Sequence, residues 1–116
     1  MQPRPLPELA QARVELAKER IKYFEGYKSE KGLVRVDEEI SNWRRRVAET
    51  RHELGGEKSE VLADLRQYLE YRKNGEAEMQ EKRRHGLATE SDGQEARYCT
   101  LEAETWLAQA LQLWGQ

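Results

Sequence analysis

Few groups of residues in this chain have the types and spacing of a metal or catalytic site. The clearest group is Glu49-Thr50-Arg51-His52. Four-helix di-iron proteins take a Glu from each of two helices and a Glu-x-x-His motif from each of the other two. The motif occurs once, and the helix predicted near the C-terminus has no histidine to complete the set. The apolar stripe of the surrounding helix passes through Thr50, which predicts that Glu49 and His52 face solvent. We therefore predict no metal site.

The second histidine, His85, follows three cations at a predicted helix end. Lys82, Arg83 and Arg84 would complement the negative end of the helix dipole, and this role needs no ligand. A phosphate or nucleic-acid site is the alternative, but acidic residues within two turns reduce the local positive potential. We therefore predict no nucleic-acid partner.

The single cysteine, Cys99, lies on a predicted helix seam, where a free cysteine usually acts as a small buried hydrophobe. Both histidines are predicted outside the core, so no base would activate the thiol for nucleophilic catalysis. We therefore predict that the protein is not an enzyme and needs no cofactor. The alternative function, a small-ligand or metal-sensing four-helix bundle, would use Glu49, His52, His85 and Cys99.

The composition of the 116 residues favours long helices. Hydrophobic residues make up 37% and charged residues 36%, compared with about 45–50% and about 25% in typical globular domains. Long helices with narrow apolar seams need fewer apolar residues than a compact core. The net charge of −2 lacks the basic excess of most nucleic-acid-binding domains. No apolar run approaches the roughly 18 residues of a membrane span, so we predict no direct membrane insertion.

The two halves of the chain repeat one another. Lys31-Gly32-Leu33 recurs as His85-Gly86-Leu87, and Ala48-Glu49-Thr50 recurs as Ala103-Glu104-Thr105 at nearly the same spacing. This repeat predicts two similar helix-turn-helix units in an all-α fold. The fold would be an up-down-up-down four-helix bundle or two stacked antiparallel helical hairpins with coiled-coil-like packing. The predicted segments are a Pro-rich leader (1–7), hairpin 1 (8–54), a Gly-rich turn (55–58) and hairpin 2 (59–114).

In hairpin 1, the first helix has apolar residues at intervals of seven, and we expect this stripe to be buried. The stripe is Leu9, Leu16 and Tyr23, with Ala10, Ala17 and Phe24 beside it and Val14 and Ile21 widening it. Gly32 is the predicted left-handed cap of this helix.

The second helix has the cleanest seam in the sequence, with alternating steps of four and three residues. Its members are Val36, Ile40, Trp43, Val47, Thr50 and Leu54. This register puts Arg44 and Arg46 at the positions that flank a seam, where we expect them to pair with acidic residues of a neighbouring helix.

In hairpin 2, the third helix begins at a cap-like Ser59, and Gly75 near its middle predicts a local bend or a polar layer. Its apolar residues are Val61, Leu62, Leu65, Tyr68, Leu69 and Met79. Gly86 repeats the cap of Gly32. The predicted seam of the fourth helix contains Asp92, Ala96, Cys99, Ala103, Trp106, Ala110 and Leu113.

The two glycine turns resemble the helical hairpins of the TolC-like outer membrane efflux protein family. The similar segments are Gly32-Leu33-Val34-Arg35-Val36-Asp37 and Gly86-Leu87-Ala88-Thr89-Glu90-Ser91-Asp92, the second followed by seam residues Ala96, Ala103 and Ala110. The chain has no predicted strands for an outer-membrane barrel, and its helices are too short for a periplasmic tunnel. The resemblance therefore implies a hairpin-repeat module of the cell envelope that packs laterally against copies of itself or a partner, and not a pore.

These observations predict a non-enzymatic helical module that acts by protein–protein contact or self-assembly, with a protein partner or a homo-oligomer as the binding partner. The predicted contact residues are Trp43, Arg44, Arg46, Tyr71, Trp106 and Trp114. The expected compartment is the cytoplasm if the chain is complete and the periplasm if an export signal has been removed.

Overall fold

The computed structural model describes the backbone of residues 5–31 and 34–114, and side chains within these ranges except at 28–31, 34 and 35. These residues form four α-helices: α1 (Leu6–Lys31), α2 (Val34–Leu54), α3 (Lys58–Arg84) and α4 (Glu90–Leu113). No strand occurs within the described ranges. The all-α prediction is confirmed, with α1 packed on α2 and α3 packed on α4 as the repeat predicted. The predicted cap at Gly32 and residues 1–4 of the predicted leader lie outside the described residues.

The chain divides into two compact units. Unit 1 is Met1–Val61 and contains the α1–α2 hairpin with the first turn of α3. Unit 2 is Leu62–Gln116 and contains the rest of α3 together with α4. The boundary therefore falls one turn into α3.

In unit 1, α2 buries the predicted seam residues Val36, Ile40, Val47 and Thr50. The prediction for α1 is correct only for one side of its stripe. Ala10, Val14, Ala17 and Ile21 are buried as expected, but Leu9, Leu16 and Tyr23, which formed the centre of the predicted stripe, are exposed. Small residues allow two helix backbones to approach closely. Ala17 belongs to the core cluster that contains Val47 of α2, and Ala10 and Ala48 are also fully buried, whereas the larger leucines of α1 remain outside.

The helix ends follow local rules of capping. Gly86 has φ +71°, and the N–H groups of Gly86 and Leu87 donate to the carbonyls of Arg83 and Lys82 at 3.1 and 2.8 Å. This pair of hydrogen bonds is a Schellman motif, so the predicted left-handed cap at Gly86 is confirmed. At the end of α2, Gly55 also has φ +71°, and its N–H donates to the carbonyl of Arg51 at 2.9 Å.

Acidic side chains cap the starts of α3 and α4. The Glu57 carboxylate accepts hydrogen bonds from the Ser59 hydroxyl and from the N–H groups of Ser59 and Glu60, and these bonds lower the pKa of Glu57. The prediction of a Ser59 cap is therefore wrong by two residues. At α4, Thr89 and Asp92 form a capping box: the Thr89 N–H donates to the Asp92 carboxylate at 2.9 Å, and the Asp92 N–H donates to the Thr89 hydroxyl oxygen at 3.1 Å. The pKa of Asp92 is lowered chiefly by the bond from the Thr89 N–H and also by the Thr89 side chain.

In unit 2, the buried residues include Leu62, Leu65 and Tyr68 of α3 and Thr100, Ala103 and Trp106 of α4. The rings of Tyr68 and Trp106 stack with centroids 6.1 Å apart. The predicted seam of α4 is wrong at both ends, because Asp92 belongs to the cap and Leu113 is exposed.

The third helix continues through Gly75 without a break. The nearby polar contacts are a Thr100 hydroxyl that donates to the carbonyl of Arg72 at 3.3 Å and an Arg97–Glu76 ion pair at 3.7 Å. Among the described residues, no helix has the length and apolar character needed to cross a membrane.

Candidate partner-binding surface

One long face of α1 is apolar and exposed. Its members alternate in steps of three and four residues, which places them on one side of the helix. We call this face the outer stripe: Leu6, Leu9, Arg13, Leu16, Arg20, Tyr23 and Tyr27. The apolar members keep between 36% and 64% of their surface exposed to solvent.

The outer stripe exists because the apolar band of α1 is wider than the surface that α2 covers. Successive helical residues are separated by about 100°, so Leu9 and Leu16 lie one residue step around the helix from Ala10 and Ala17. The alanine side packs on α2 and is buried, and the leucine side remains open. A helix in water normally places charged or polar residues on its exposed face. The outer stripe departs from this rule at its five apolar positions and follows it at Arg13 and Arg20.

At the C-terminal half of the stripe, two arginines stack on aromatic rings. The Arg20 Cζ lies 5.0, 4.9 and 5.9 Å from the ring centroids of Tyr23, Phe24 and Trp43. The Arg46 Cζ lies 4.1 Å from the Trp43 ring. Tyr23 contacts Phe24 edge to face at 5.1 Å. We call these five residues the arginine–aromatic cluster, and it joins α1 to α2.

Within the described ranges, the cations of this cluster have no carboxylate partner, and the Arg20 and Arg46 guanidinium groups lie over aromatic rings. A guanidinium stacked on a ring keeps its N–H donors in the ring-parallel plane, so the donors stay available at the edge. The Trp43 Nε1 is buried without an acceptor among the described residues, so the indole acts here by packing and by its π face. The cluster therefore holds two guanidinium groups that form no ion pair with a carboxylate of the described residues.

The predicted contact residues of unit 1 take different positions. Trp43 is half-buried against a core cluster of Val14, Ala17, Ile21 and Val47. Arg44 pairs with Glu25 of α1 at 3.3 Å, so its cation links the two helices of the hairpin. Arg46 is exposed and stacks on Trp43. The structure thus brings Trp43 and Arg46 together in one surface cluster.

The predicted contact residues of unit 2 are less exposed. Trp106 retains only 8% of its surface and is a core residue stacked on Tyr68. Tyr71 is half-buried and stacks on Tyr68 at 6.5 Å, with Arg72 5.7 Å from its ring. Trp114 is half-buried at the C-cap of α4. The Tyr71 and Trp106 rings both stack on Tyr68, and none of the three predicted residues is fully exposed.

The residues of the metal-sensing alternative are divided between the units. In unit 1, Glu49 pairs with Arg45 at 2.7 Å, and His52 is exposed. In unit 2, His85 lies 3.0 Å from Glu81, and Cys99 is half-buried. No group of three or more His, Cys, Asp or Glu residues that could hold a metal occurs in the described part of the chain.

Cys99 lines a groove of about 300 Å³ between α3 and α4. Its other lining residues include Tyr71, Gly75, Met79 and several carboxylates. Because Gly75 has no side chain, the wall of α3 is open at this point. The groove is a separate feature of unit 2 and does not include a histidine.

The most buried charge among the described residues of unit 1 is the Arg51 side chain, which is 1% exposed and which the helix patterns did not predict. Its Nη2 lies 3.3 Å from Gln11 Oε1 and 3.5 Å from Glu60 Oε2, and its Nη1 donates to the Gly55 carbonyl at 3.4 Å. Arg51 thereby connects α1, the turn after α2 and the first turn of α3. The two glycines that follow α2 were the available signal, because a buried guanidinium needs space beside the backbone.

Comparison of the chain with protein-family models, curated proteins and solved structures finds no match. The fold and the surface therefore define the chain only as an all-α protein built of helical hairpins.

Proposed function

We propose that this protein acts by protein–protein contact, through self-association of its helical faces. The observation that carries the proposal is the outer stripe of α1, an apolar face with four-three spacing that α2 leaves uncovered. Seams of this spacing are the surfaces by which helices pack on one another. Large exposed apolar patches on a soluble domain commonly mark interaction sites.

The arginine–aromatic cluster gives the proposed contact a polar element. Arginine, tyrosine and tryptophan are enriched in protein interfaces and among the residues that contribute most to binding. The resemblance of the glycine turns to TolC-like hairpins supports lateral packing of hairpins as the mode of association. It also supports the cell envelope as the setting.

The proposal is tested by absolute mass in solution, measured by light scattering after size exclusion at two protein and two salt concentrations. We expect a defined oligomer of the unaltered chain. Leu16→Glu places a charge in the centre of the outer stripe and should shift the protein toward monomer. Leu113→Glu makes the same substitution at an exposed leucine outside the stripe and should leave the oligomer intact. A monomer at every concentration would reject self-association.

A second candidate function, small-ligand binding, has one supporting observation, the groove beside Cys99. A ligand that binds the folded state raises the melting temperature by mass action. Zinc is the probe for the metal-sensing form of this candidate, although no group of three or more His, Cys, Asp or Glu residues that could hold a metal occurs in the described part of the chain. A rise in melting temperature that Cys99→Ala removes would favour this candidate over an interaction surface alone.

A further inference from the structure

We propose that the occupant of the outer stripe is α4 of a second copy of this chain, with α4 carboxylates bound by Arg20 and Arg46. This inference rests on the proposed function, because it requires self-association. It adds the identity of the partner surface and the chemistry that selects it.

Charge complementarity distinguishes α4 from the other helices. Five acidic residues and one basic residue lie within α4, whereas acidic and basic residues in each of α1, α2 and α3 balance to within one charge. The outer stripe carries its own cations, Arg13 and Arg20, and Arg46 lies beside them in the arginine–aromatic cluster. Within the described ranges, none of these three arginines has a carboxylate partner. An acidic helix therefore suits this face better than a second α1.

The exposed face of α4 also has the spacing of a helix seam. Its positions alternate in steps of four and three residues on the side opposite the buried Ala103 and Trp106. We call this face the α4 stripe: Gln94, Tyr98, Leu101, Thr105, Ala108 and Gln112. Tyr98 and Leu101 are 65% and 42% exposed. Glu95 and Glu104 are exposed on its two flanks, where charges of one helix reach those of the next.

The area of each stripe favours a dimer in which the outer stripe of each copy packs on the α4 stripe of the other copy. A helical stripe of about 21 residues is ~32 Å long and ~10 Å wide, or about 320 Å². An α1–α1 contact uses one such stripe from each copy, roughly 640 Å² in total, and falls short of the ~1,000 Å² expected of a stable interface. A two-fold pair that uses the outer stripe and the α4 stripe of both copies reaches about 1,300 Å².

The chemistry of the contact is carboxylate recognition by preorganised guanidinium groups. Arg20 and Arg46 are held on the rings of Trp43, Tyr23 and Phe24, so less side-chain freedom is lost when a carboxylate binds. Paired guanidinium and carboxylate groups form charge-assisted hydrogen bonds with defined geometry. The stacked arginines thus select an acidic helix, and the apolar members of the two stripes supply the buried surface.

Charge reversal tests the pairing in the full-length chain. Variant A carries Arg20→Glu and Arg46→Glu, and variant B carries Glu95→Lys and Glu104→Lys. Each variant alone places like charges across both copies of the contact, and we expect its dimer dissociation constant to rise at least about tenfold. In a mixed dimer, the unaltered arginines of B meet the unaltered glutamates of A at one contact. At the other contact, the introduced glutamates of A meet the introduced lysines of B. We expect the mixture to form a dimer, which light scattering detects at concentrations where A and B alone are monomers.

The outcomes separate this inference from the proposed function. Leu16→Glu could abolish the oligomer that the unaltered chain forms while A and B remain dimers. In that case self-association stands and the α4 pairing is overturned. If A and B are monomers and their mixture is also monomeric, the pairing is again overturned, since the restored charges failed to restore the contact. If the unaltered chain is a monomer throughout, both proposals fail. Circular dichroism of A and B verifies that each variant is folded.

Discussion

The guanidinium of Arg51 lies so close to Gly56 that a Cβ placed on residue 56 would be 2.5 Å from the Arg51 Nη1. Gly56 also has φ +139°, a conformation that residues with side chains rarely adopt. The glycine thus gives the buried arginine room to reach the Gly55 carbonyl. The turn after α2 and the buried cation form one structural feature.

Substitution of Gly56 tests this relationship. We expect Gly56→Ala to lower the free energy of unfolding by about 2–4 kcal/mol, because backbone strain adds to displacement of Arg51. Gly55→Ala is the matched control, since φ is also positive there but no atom lies within 4 Å of the added Cβ. It should cost about 1–2 kcal/mol. Urea denaturation measures both, and equal costs would contradict a role for the Arg51 contact.

Removal of the buried cation should also destabilise unit 1. Arg51→Met leaves the oxygens of Gln11 and Gly55 without this donor, and we expect a loss of about 3 kcal/mol in urea denaturation. Arg45→Met on the same helix removes a partly exposed ion pair with Glu49 and should change the stability by less than about 1 kcal/mol. Similar losses of stability in the two variants would contradict a larger stabilising role for Arg51 than for a partly exposed ion pair.

Local signals in the sequence predicted much of the fold. The four-three pattern from Val36 to Thr50 identified the buried face of α2, because one seam exists on that helix, but Leu54 at the end of the predicted seam is exposed. Gly86 marked the end of α3, because a left-handed residue is a local backbone requirement. Periodicity alone did not identify the buried face of α1, where two apolar stripes lie side by side. Packing of Ala10 and Ala17 on α2 decides between them, and this is a tertiary effect.

The candidate surface was only partly predictable for the same reason. Trp43 and Arg46 were identified from the seam and its flanks, and the structure stacks them. Arg20 was not identified, because a charged residue on the outer stripe does not belong to an apolar pattern and its importance depends on reaching the Trp43 ring across the hairpin. In the sequence, Arg51 appears only as a member of a Glu-x-x-His motif. Its burial could not be predicted, because it depends on the turn after α2 and on the first turn of α3.

Gly75 provides a test of the continuous third helix. The residue is exposed and helical, and an added Cβ would meet no atom within 4 Å. We expect Gly75→Ala to raise the free energy of unfolding by about 1 kcal/mol, because alanine loses less backbone entropy in a helix. Thermal unfolding followed by circular dichroism measures the change.

Gly93→Ala is the control for that experiment, because its Cβ would lie 2.6 Å from the Nη1 of Arg83. The same gain in helix propensity is then offset by movement of the arginine, so the stabilisation should be smaller. A larger gain at Gly93 than at Gly75 would contradict the packing of Arg83 against α4.

The capping carboxylates predict how stability changes in acid. Folding lowers the pKa of both Glu57 and Asp92 through hydrogen bonds at the helix starts. A group with a lowered folded pKa stabilises the protein above its unfolded pKa, about 4 for these residues, and this contribution is lost as the pH falls through the folded value. We therefore expect Asp92→Asn to reduce the melting temperature at pH 7 and to have much less effect near pH 2.

Glu104→Gln is the matched control, because Glu104 is also exposed on α4 but lies outside the cap. It should change the melting temperature little, and by the same amount at both pH values when measured at protein concentrations where the chain is monomeric. Thr89→Ala removes the other half of the capping box and should bring its own decrease at pH 7. Because Asp92 and Thr89 act through one motif, the double variant should lose less than the sum of the single losses. Full additivity, or an effect of Asp92→Asn that persists in acid, would contradict the capping box as the source of the lowered pKa.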